Sequence, residues 1–252
     1  MTILGAFDDT SEEIIRASQV VRRIDGFPET VVATYSRIKH AALLRNHAAE
    51  RIATVNMSNA EVEILRITHA GQELAAYLAP VGGAASATVM EEVIALGGRR
   101  FLFFGSCGVL DNEILAGHIA VPTAAYRDEG TSYHYLAPSA YVEIDTADHL
   151  AGILAKLDVS CLLTRAWTTD AIYRETRRNM ELRKAEGCRV VEMECASTAA
   201  VARFRGVDFY QFLYGADSLD GEEWDARSLV ESHDETGSAI ADLALEVAVR
   251  LT

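Results

Sequence analysis

Strand-like and helix-like runs alternate along almost the whole chain, and this alternation limits the folds open to it. The segment "ETVVATYS" precedes "RIKHAALLRNHAAE", "ELAAYLAPVGG" precedes "AASATVMEEVIALGG", and "RVVEME" precedes "CASTAAVARFRG". A last helical segment places Ile240, Leu243, Val247 and Leu251 on one stripe. Such alternation is typical of an α/β protein with a mostly parallel sheet wrapped by helices.

Length and composition predict one soluble domain. The 252 residues are 50% hydrophobic and 24% charged, which suits a single domain over residues 1–252, with residues 1–28 as an extension before the first strand. The net charge of -14 opposes binding to a nucleic-acid polymer or to an anionic membrane. A small anion in a local pocket is still compatible with this charge.

The sequence also indicates a cytoplasmic protein without a metal. The four cysteines show no CxxC spacing, as expected of reduced thiols. The N-terminus is acidic, unlike a signal peptide, and no apolar run reaches the ~18 residues that span a bilayer. The seven histidines show neither HxxxH nor HxH spacing, so we expect no metal site.

Three predicted strands end on residues that are too polar or too small for a core. They are "FLFFGSCGVL", "VVEMECAS" and "FLYGADSLDG". In parallel sheets, ligands bind beyond the carboxyl ends of the strands. In the first, the glycines around Ser106 and Cys107 would let backbone N–H groups turn toward a small anion or hydroxyl. Ser106, Cys107 and Gly108 are therefore candidate binding residues, although a tight turn with a capping serine explains them equally well.

Glu192 and Glu194 are two acids, two residues apart, where a strand should enter the core. Without partners, two acids in apolar surroundings would cost several kcal/mol. A carboxylate can accept two hydrogen bonds at once, so the pair suits the vicinal hydroxyls of a sugar. The alternatives are a solvated strand end, or Glu194 capping the next helix. Asp217 can likewise be an N-cap, an Asx-turn residue or an acid at the mouth of a pocket.

The three strand-end motifs together resemble the nucleoside phosphorylase and nucleosidase superfamily, from about Glu29 to the C-terminus. Two further segments, "YRDEGTSYHYLAP" and "TTDAIYRETRR", resemble bacterial uridine phosphorylases. The resemblance implies a single-domain, three-layer α/β/α fold with a central mixed, mostly parallel twisted sheet flanked by helices. It also implies cleavage of the N-glycosidic bond of a nucleoside and assembly into homo-oligomers, as dimers or hexamers.

The resemblance assigns roles to particular residues. Met193 would pack on the ribose, Glu194 would bind its 2′ and 3′ hydroxyls, and Glu192 would also face the sugar. Ser106 matches the hydroxyl residue that holds phosphate in phosphorylases. Asp217 matches the acid with which purine-specific members protonate the departing base. Glu194 and Asp217 are thus the candidate catalytic residues.

The resemblance leaves the base undefined. Arg178 matches an arginine that binds the uracil carbonyls in uridine phosphorylases, but Thr176 replaces their glutamine and Ile172 their aromatic stacking residue. Asp217 favours a purine instead. Arg178 has an alternative as an ordinary salt-bridged helix residue, and His134 is a further candidate contact to sugar or base.

The positions that hold phosphate in phosphorylases differ in this chain. The first strand ends in "TYSRIKH" rather than in a Gly-Asp-Pro-x-Arg loop, Phe103 replaces an arginine, and Ala60 is near the place of an arginine lent by a neighbouring subunit. Arg37, Lys39 or His40 would have to supply the charge, and the alternative is that they are solvated cations.

Three functions follow. The first is phosphorolysis to free base and ribose 1-phosphate, with inorganic phosphate as co-substrate and no other cofactor. The second is hydrolysis, because the phosphate-binding arginines are missing; here Asp8 or Asp9 of "LGAFDDT" would activate water. The third is a catalytically inactive nucleoside-binding relative. Retention of Asp217 favours catalysis, since a sugar-binding protein needs no proton donor beside the base.

Overall fold

A computed structural model describes Ile3, residues 7–227 and residues 234–251 of the chain. Residues 4–6 of "LGAFDDT" and His233 lie outside the described residues. The strands are β1 Thr30–Thr34, β2 Glu50–Met57, β3 Ala60–His69, β4 Gln72–Leu78, β5 Arg100–Val109, β6 Ile119–Asp128, β7 Tyr141–Glu143, β8 Cys161–Thr169, β9 Cys188–Glu192 and β10 Asp208–Ser218. The helices are α1 Ala17–Val20, α2 Arg37–Leu44, α3 Gly83–Leu96, α4 Ala147–Lys156, α5 Arg177–Ala185, α6 Cys195–Arg205 and α7 Asp234–Ala248.

The strands form one mixed sheet with the order β10-β6-β8-β9-β5-β1-β4-β3-β2, and β7 pairs with β6. Strand β1 pairs in parallel with β4 and β5, and β5 pairs in parallel with β10. Strand β9 is antiparallel to β5, and β6 is antiparallel to β10. Helices flank this central sheet. The α/β fold predicted from the sequence is confirmed.

The sheet closes on itself on one side of β5. Strand β10 pairs with both β5 and β6, so β5, β10, β6, β8 and β9 form a ring, and β1, β4, β3 and β2 extend from it as an open sheet. The register shifts between Gly215 and Asp217 in β10, and between Pro122 and Ala124 in β6. Irregularities of this kind bend strands and raise their twist, which allows a sheet to close.

Helices cover the sheet in pairs. Helix α7 packs on α2 and on β1, and α3 packs on α6, which in turn contacts β10 and β6. On the predicted stripe of the last helix, Ile240 and Val247 are buried, Leu243 is partly buried, and Leu251 is buried just beyond the helix end. Within the described residues, no helix has both the length and the apolar character that crossing a membrane requires.

The first predicted helix is shorter than expected. The pattern predicted helix to Glu50, but α2 ends at Leu44 and Glu50 begins β2. Strand β2 pairs antiparallel with β3, joined by a two-residue turn between Met57 and Ala60. The alanine-rich run to Glu50 is therefore divided between a helix and a hairpin, because strand pairing overrides weak helix propensity.

Candidate active site

The three polar strand ends converge on one place. Gly108 of β5 pairs with Val191 of β9 on one side and with Asp217 of β10 on the other, and Ser106 pairs with Tyr214. Strand β9 is antiparallel to β5 and pairs only with the last two residues of β5, Gly108 and Val109. The carboxyl ends of all three strands therefore meet, even though one of them runs in the opposite direction.

A cavity of about 190 Å³ lies at this junction. Among the described residues it is lined by Tyr35, Ser36, Val81, Ser106, Cys107, Gly108, Ile172, Glu175, Val191, Glu192, Met193, Glu194 and Asp217. All the binding and catalytic residues predicted from the three strand ends are in this set, together with Ile172. Four of the lining side chains are carboxylic acids, and none is lysine or arginine.

Glu192 is held by the protein itself. Its Oε1 accepts a hydrogen bond of 2.5 Å from Oγ1 of Thr168, and its Oε2 accepts from the backbone N–H groups of Glu194 at 2.8 Å and Cys195 at 2.7 Å. These N–H groups begin α6, so Glu192 caps that helix. The alternative in which Glu194 caps the helix is not observed, because the Glu194 side chain makes no capping hydrogen bond.

Glu194 is fixed from a distant part of the chain. Its Oε1 accepts a hydrogen bond of 2.7 Å from the backbone N–H of Gly82, which precedes α3. Gly82 has a φ of 95°, a conformation that glycine adopts without strain. Burial leaves Glu194 only 5% exposed, and its backbone lies in the turn that joins β9 to α6.

The two acids influence one another. Burial raises the pKa of Glu192 and the pKa of Glu194 above their ordinary values. The negative charge of Glu192 further raises the pKa of Glu194, whereas the three hydrogen bonds to Glu192 oppose the increase in its own pKa. A cationic substrate group placed between them would favour their ionised forms.

Asp217 is the acid that β10 contributes to the cavity. Its Oδ2 accepts a hydrogen bond of 2.7 Å from the indole Nε1 of Trp224. Trp224 is 60% exposed and belongs to the segment that follows β10. Asp217 is half-buried and lines the cavity beside Gly108.

Five lining residues were missed by the sequence analysis: the apolar Val81 and Val191, and the polar Tyr35, Ser36 and Glu175. Tyr35 and Ser36 follow β1, and Ser36 also accepts a hydrogen bond from the N–H of Lys39 at the start of α2. Glu175 follows a short 3-10 helix, Ile172–Arg174. Burial raises the pKa of Glu175 to about 7, and the charge of Asp217 acts in the same direction. No strand-end signal marks Glu175, because it lies in an irregular segment.

Phe103, where phosphorylases have an arginine, lies in an aromatic cluster. It is fully buried and stacks on Tyr35 with ring centroids 6.0 Å apart, and it also contacts Tyr77, Phe101 and Phe209. A guanidinium at this position would replace a buried ring that packs against four other aromatic rings. The surroundings of Phe103 are therefore unsuited to holding an anion.

Of the three replacement cations considered, only Lys39 approaches the cavity. Lys39 is 6% exposed, and its Nζ lies 5.3 Å from the centroid of the Tyr214 ring. Burial raises the pKa of Tyr214, and the side chains of Ser106 and Ser36, which line the cavity, act in the opposite direction. Burial lowers the pKa of Lys39. Arg37 is exposed, so the interpretation of a solvated cation holds for that residue.

Two predicted site residues lie elsewhere. Arg178 is exposed on α5, does not line the cavity, and forms no ion pair with any residue that the structure describes. His134 ends a short 3-10 helix and lines a second cavity, of about 460 Å³. Asp8 and Asp9, the acids expected to activate water, also line the second cavity. They therefore do not share a cavity with Glu194.

No group of three or more His, Cys, Asp or Glu side chains has a metal-binding arrangement within the described residues. Three of the four cavity acids, Glu192, Glu194 and Asp217, accept hydrogen bonds from Thr168, Trp224 and backbone N–H groups. Cys107, in the cavity wall, has a pKa raised by burial, so its thiol stays protonated and is a weak nucleophile.

Comparison with known proteins identifies the family. A model of the phosphorylase superfamily matches residues 30–250. The chain belongs to the phosphorylase superfamily. The match begins at the first residue of β1 and includes every lining residue of the cavity, so the resemblance seen in the three strand-end motifs is confirmed.

Curated relatives of this superfamily chain include two phosphorylases. A guanosine phosphorylase of Halorubrum lacusprofundi is 28% identical over 151 residues, which are 59% of this chain and 63% of the relative. A uridine phosphorylase of Treponema pallidum is 42% identical over 55 residues, 22% of this chain and 21% of the relative. The chain thus matches less than two thirds of the length of these relatives.

Solved structures of the superfamily share the fold of this chain. Uridine phosphorylase of Vibrio fischeri ES114 superposes with a TM-score of 0.76 at 17% identity, covering 96% of this chain and 100% of that one. Purine nucleoside phosphorylase of Toxoplasma gondii gives 0.75 at 17% identity, covering 89% and 91%. A futalosine hydrolase mutant of Helicobacter pylori gives 0.70 at 16% identity, covering 92% and 100%. Enzymes that are named phosphorylases and one named a hydrolase thus share this fold.

Proposed function

We propose that this chain cleaves the N-glycosidic bond of a nucleoside. The observation on which the proposal depends is the meeting of Glu194, Met193 and Asp217 in one small cavity at the converged strand ends. Membership of the phosphorylase superfamily supports the same chemistry. Family members act as pentosyltransferases or nucleosidases, so an enzyme is a better interpretation than an inactive binding protein.

The sugar would be held at the β9–α6 junction. Glu194, with one oxygen fixed by Gly82, accepts hydrogen bonds from the ribose hydroxyls, and Met193 packs against the ring. Breaking the glycosidic bond spreads positive charge over C1′ and the ring oxygen. Carboxylates held in place in a buried site stabilise such charge without reorganising during the reaction.

We propose water as the nucleophile. The cavity has four acids and no lysine or arginine among its described lining residues, so no lining side chain offers a phosphate dianion a charge-assisted hydrogen bond. Phe103 occupies the place of an arginine and lies among aromatic rings. Attack of a water oxygen on C1′ needs no cationic subsite. The products would be free ribose and free base.

Phosphorolysis is the second candidate, and Lys39 favours it. Lys39 is a buried cation beside Tyr214, and the side chains of Ser36 and Ser106 in the cavity wall act on the Tyr214 hydroxyl. A phosphate at these two serines would gain the charge of Lys39. The similarity to a guanosine phosphorylase agrees with this candidate.

Turnover of a panel of purine and pyrimidine nucleosides, with and without phosphate, separates the candidates. We expect equal base release in both buffers. The variant Lys39→Met would remove the charge beside the serines, and Lys156→Met, an exposed residue of α4, is the matched control. A rate that requires phosphate, and that only Lys39→Met abolishes, would establish phosphorolysis. Absence of base release from every nucleoside would overturn the proposed activity.

We also propose that the chain needs no organic cofactor and works in the cytoplasm as a homo-oligomer, a dimer or a hexamer. Its expected partner is a small nucleoside rather than a nucleic-acid polymer or a membrane. Light scattering coupled to size-exclusion chromatography measures the oligomer directly, and a monomeric mass would contradict that part of the proposal.

A further inference from the structure

Besides Asp217, the cavity holds another acid, Glu175, that could donate a proton to the departing base. Glu175 and Asp217 come from different elements, the segment before α5 and the end of β10, and both line the cavity. The charge of Asp217 acts on Glu175, which places the two carboxyl groups within electrostatic reach of one another. A neighbouring negative charge makes ionisation of a carboxyl group less favourable, so burial and the charge of Asp217 both favour the protonated form of Glu175.

The two acids differ in their hydrogen bonding. The indole N–H of Trp224 can only donate, so Oδ2 of Asp217 is an acceptor. The Glu175 side chain, in contrast, accepts no hydrogen bond from any residue that the structure describes. Glu175 is partly buried, and burial without donors favours its neutral form.

We propose that Glu175 is the proton donor to the departing base and that the carboxylate of Asp217 keeps Glu175 protonated. This assignment rests on the proposed nucleoside cleavage and differs from the role that family resemblance gives to Asp217. It defines a donor in a segment that carries none of the strand-end motifs. The raised pKa of Glu175, about 7, suits a general acid that works near neutral pH.

The proton and the electrons balance as follows. The C1′–N bond breaks and its electron pair stays with the base, which takes the proton from the carboxyl group of Glu175. A water oxygen forms the new bond to C1′ and loses one proton. That proton returns through solvent to the Glu175 carboxylate. Nucleoside and water are thereby converted to base and ribose, and the enzyme regains its starting form.

A substrate whose leaving group needs no proton tests the assignment. The nitrophenolate of p-nitrophenyl β-D-ribofuranoside leaves unprotonated, whereas a nucleoside base does not. We expect Glu175→Gln to lower kcat for nucleosides by about 10²- to 10⁴-fold and to leave turnover of the nitrophenyl riboside within about tenfold of wild type. Glu181→Gln, an exposed acid of α5, is the matched control and should change neither rate.

The outcomes are distinct. Equal loss on both substrates, or no loss on either, would overturn the role of Glu175 while the wild-type activity stands. A wild-type protein that cleaves neither substrate would overturn the proposed function and this assignment together. Thermal melting of Glu175→Gln checks that the variant is folded before the rates are compared.

A pH profile tests the part played by Asp217. Activity on nucleosides should fall as pH rises through the pKa of Glu175, because the donor loses its proton. Asp217→Asn removes the neighbouring charge, so the alkaline limb should move to lower pH; an unmoved limb would contradict the pairing. Glu192 and Glu194 share the cavity with Glu175, and Arg174, Arg177 and Arg178 are exposed on its own segment. Arg177 donates to the carbonyls of Gly221 and Glu222 in the segment after β10, where Glu222 and Glu223 are exposed.

Discussion

The backbone N–H of Gly82 donates a 2.7 Å hydrogen bond to Oε1 of Glu194, although 112 residues separate the two in the chain. The bond joins the start of α3 to the start of α6, and α3 packs on α6. One oxygen of Glu194 is thereby fixed before any ligand binds. An acid that is already oriented loses little freedom when it receives a sugar hydroxyl.

Replacing Gly82 should therefore damage activity more than stability. Gly82→Ala places a side chain at a φ of 95°, which strains the backbone and moves the N–H group. We expect a loss of about 1 kcal/mol in the free energy of unfolding and a decrease in kcat/KM of about ten- to hundredfold.

Gly71→Ala is the control for Gly82→Ala. Gly71 has a φ of 79°, lies in the turn between β3 and β4, and has open space around its Cβ position, as Gly82 does. It should cost similar stability without changing kcat/KM. Equal activity of the two variants would show that the Gly82 bond does not position Glu194.

Glu192 should matter mainly for stability, because its carboxylate accepts three hydrogen bonds from the protein. Thr168→Val removes one donor to Glu192 and also the acceptor for the N–H of Ala196. We expect it to lower the free energy of unfolding by about 1–3 kcal/mol, measured by urea denaturation.

The control for Thr168→Val is Thr88→Val. Thr88 is exposed on α3 and donates only to the carbonyl of Ala84. It should change the unfolding free energy by less than about 0.5 kcal/mol. If both valine variants unfold like wild type, the cap at the start of α6 contributes nothing measurable.

Stability should decrease as pH rises above about 4.5. The pKa values of Glu175, Glu192 and Glu194 are raised in the folded protein above the ordinary value of 4.5. A raised pKa means that the folded state binds the proton more tightly, so this contribution is complete below 4.5 and is lost as pH rises through the raised values.

Urea midpoints at pH 5.5, 7 and 8.5 measure this effect. The midpoint should fall across the series in wild type and fall less steeply in Glu175→Gln, whose side chain cannot titrate. Glu181→Gln should keep the wild-type slope. Identical slopes in all three proteins would show that Glu175 is not protonated in the folded state.

The strand ends were predictable because their sequences are locally unusual. Large apolar residues run directly into Gly105 and Ser106, and the acids Glu192 and Glu194 follow two valines. Core strands do not end in this way by chance, so the pattern located the cavity. The same local signals explain why β5, β9 and β10 were assigned correctly as strands.

Other features depend on contacts that local sequence does not encode. The ring closes through pairing of β10 with β6. Glu175 reaches the cavity only because its segment folds back toward Asp217. Arg178 and His134 were inferred from family-like segments, but they lie on an exposed helix and in a second cavity. The sequence showed that Phe103 stands where phosphorylases have an arginine, whereas the aromatic cluster around Phe103 could be seen only in the structure.

Base release from nucleosides by wild type and by Glu194→Gln, in phosphate-free buffer, tests the central claim most directly. The account predicts that wild type releases free base from at least one nucleoside and that Glu194→Gln lowers kcat/KM by about 10²-fold or more. Because Glu194 does not cap α6, the variant should unfold within about 1 kcal/mol of wild type. Release by the variant at the wild-type rate, or no release by wild type from any nucleoside, would contradict the account.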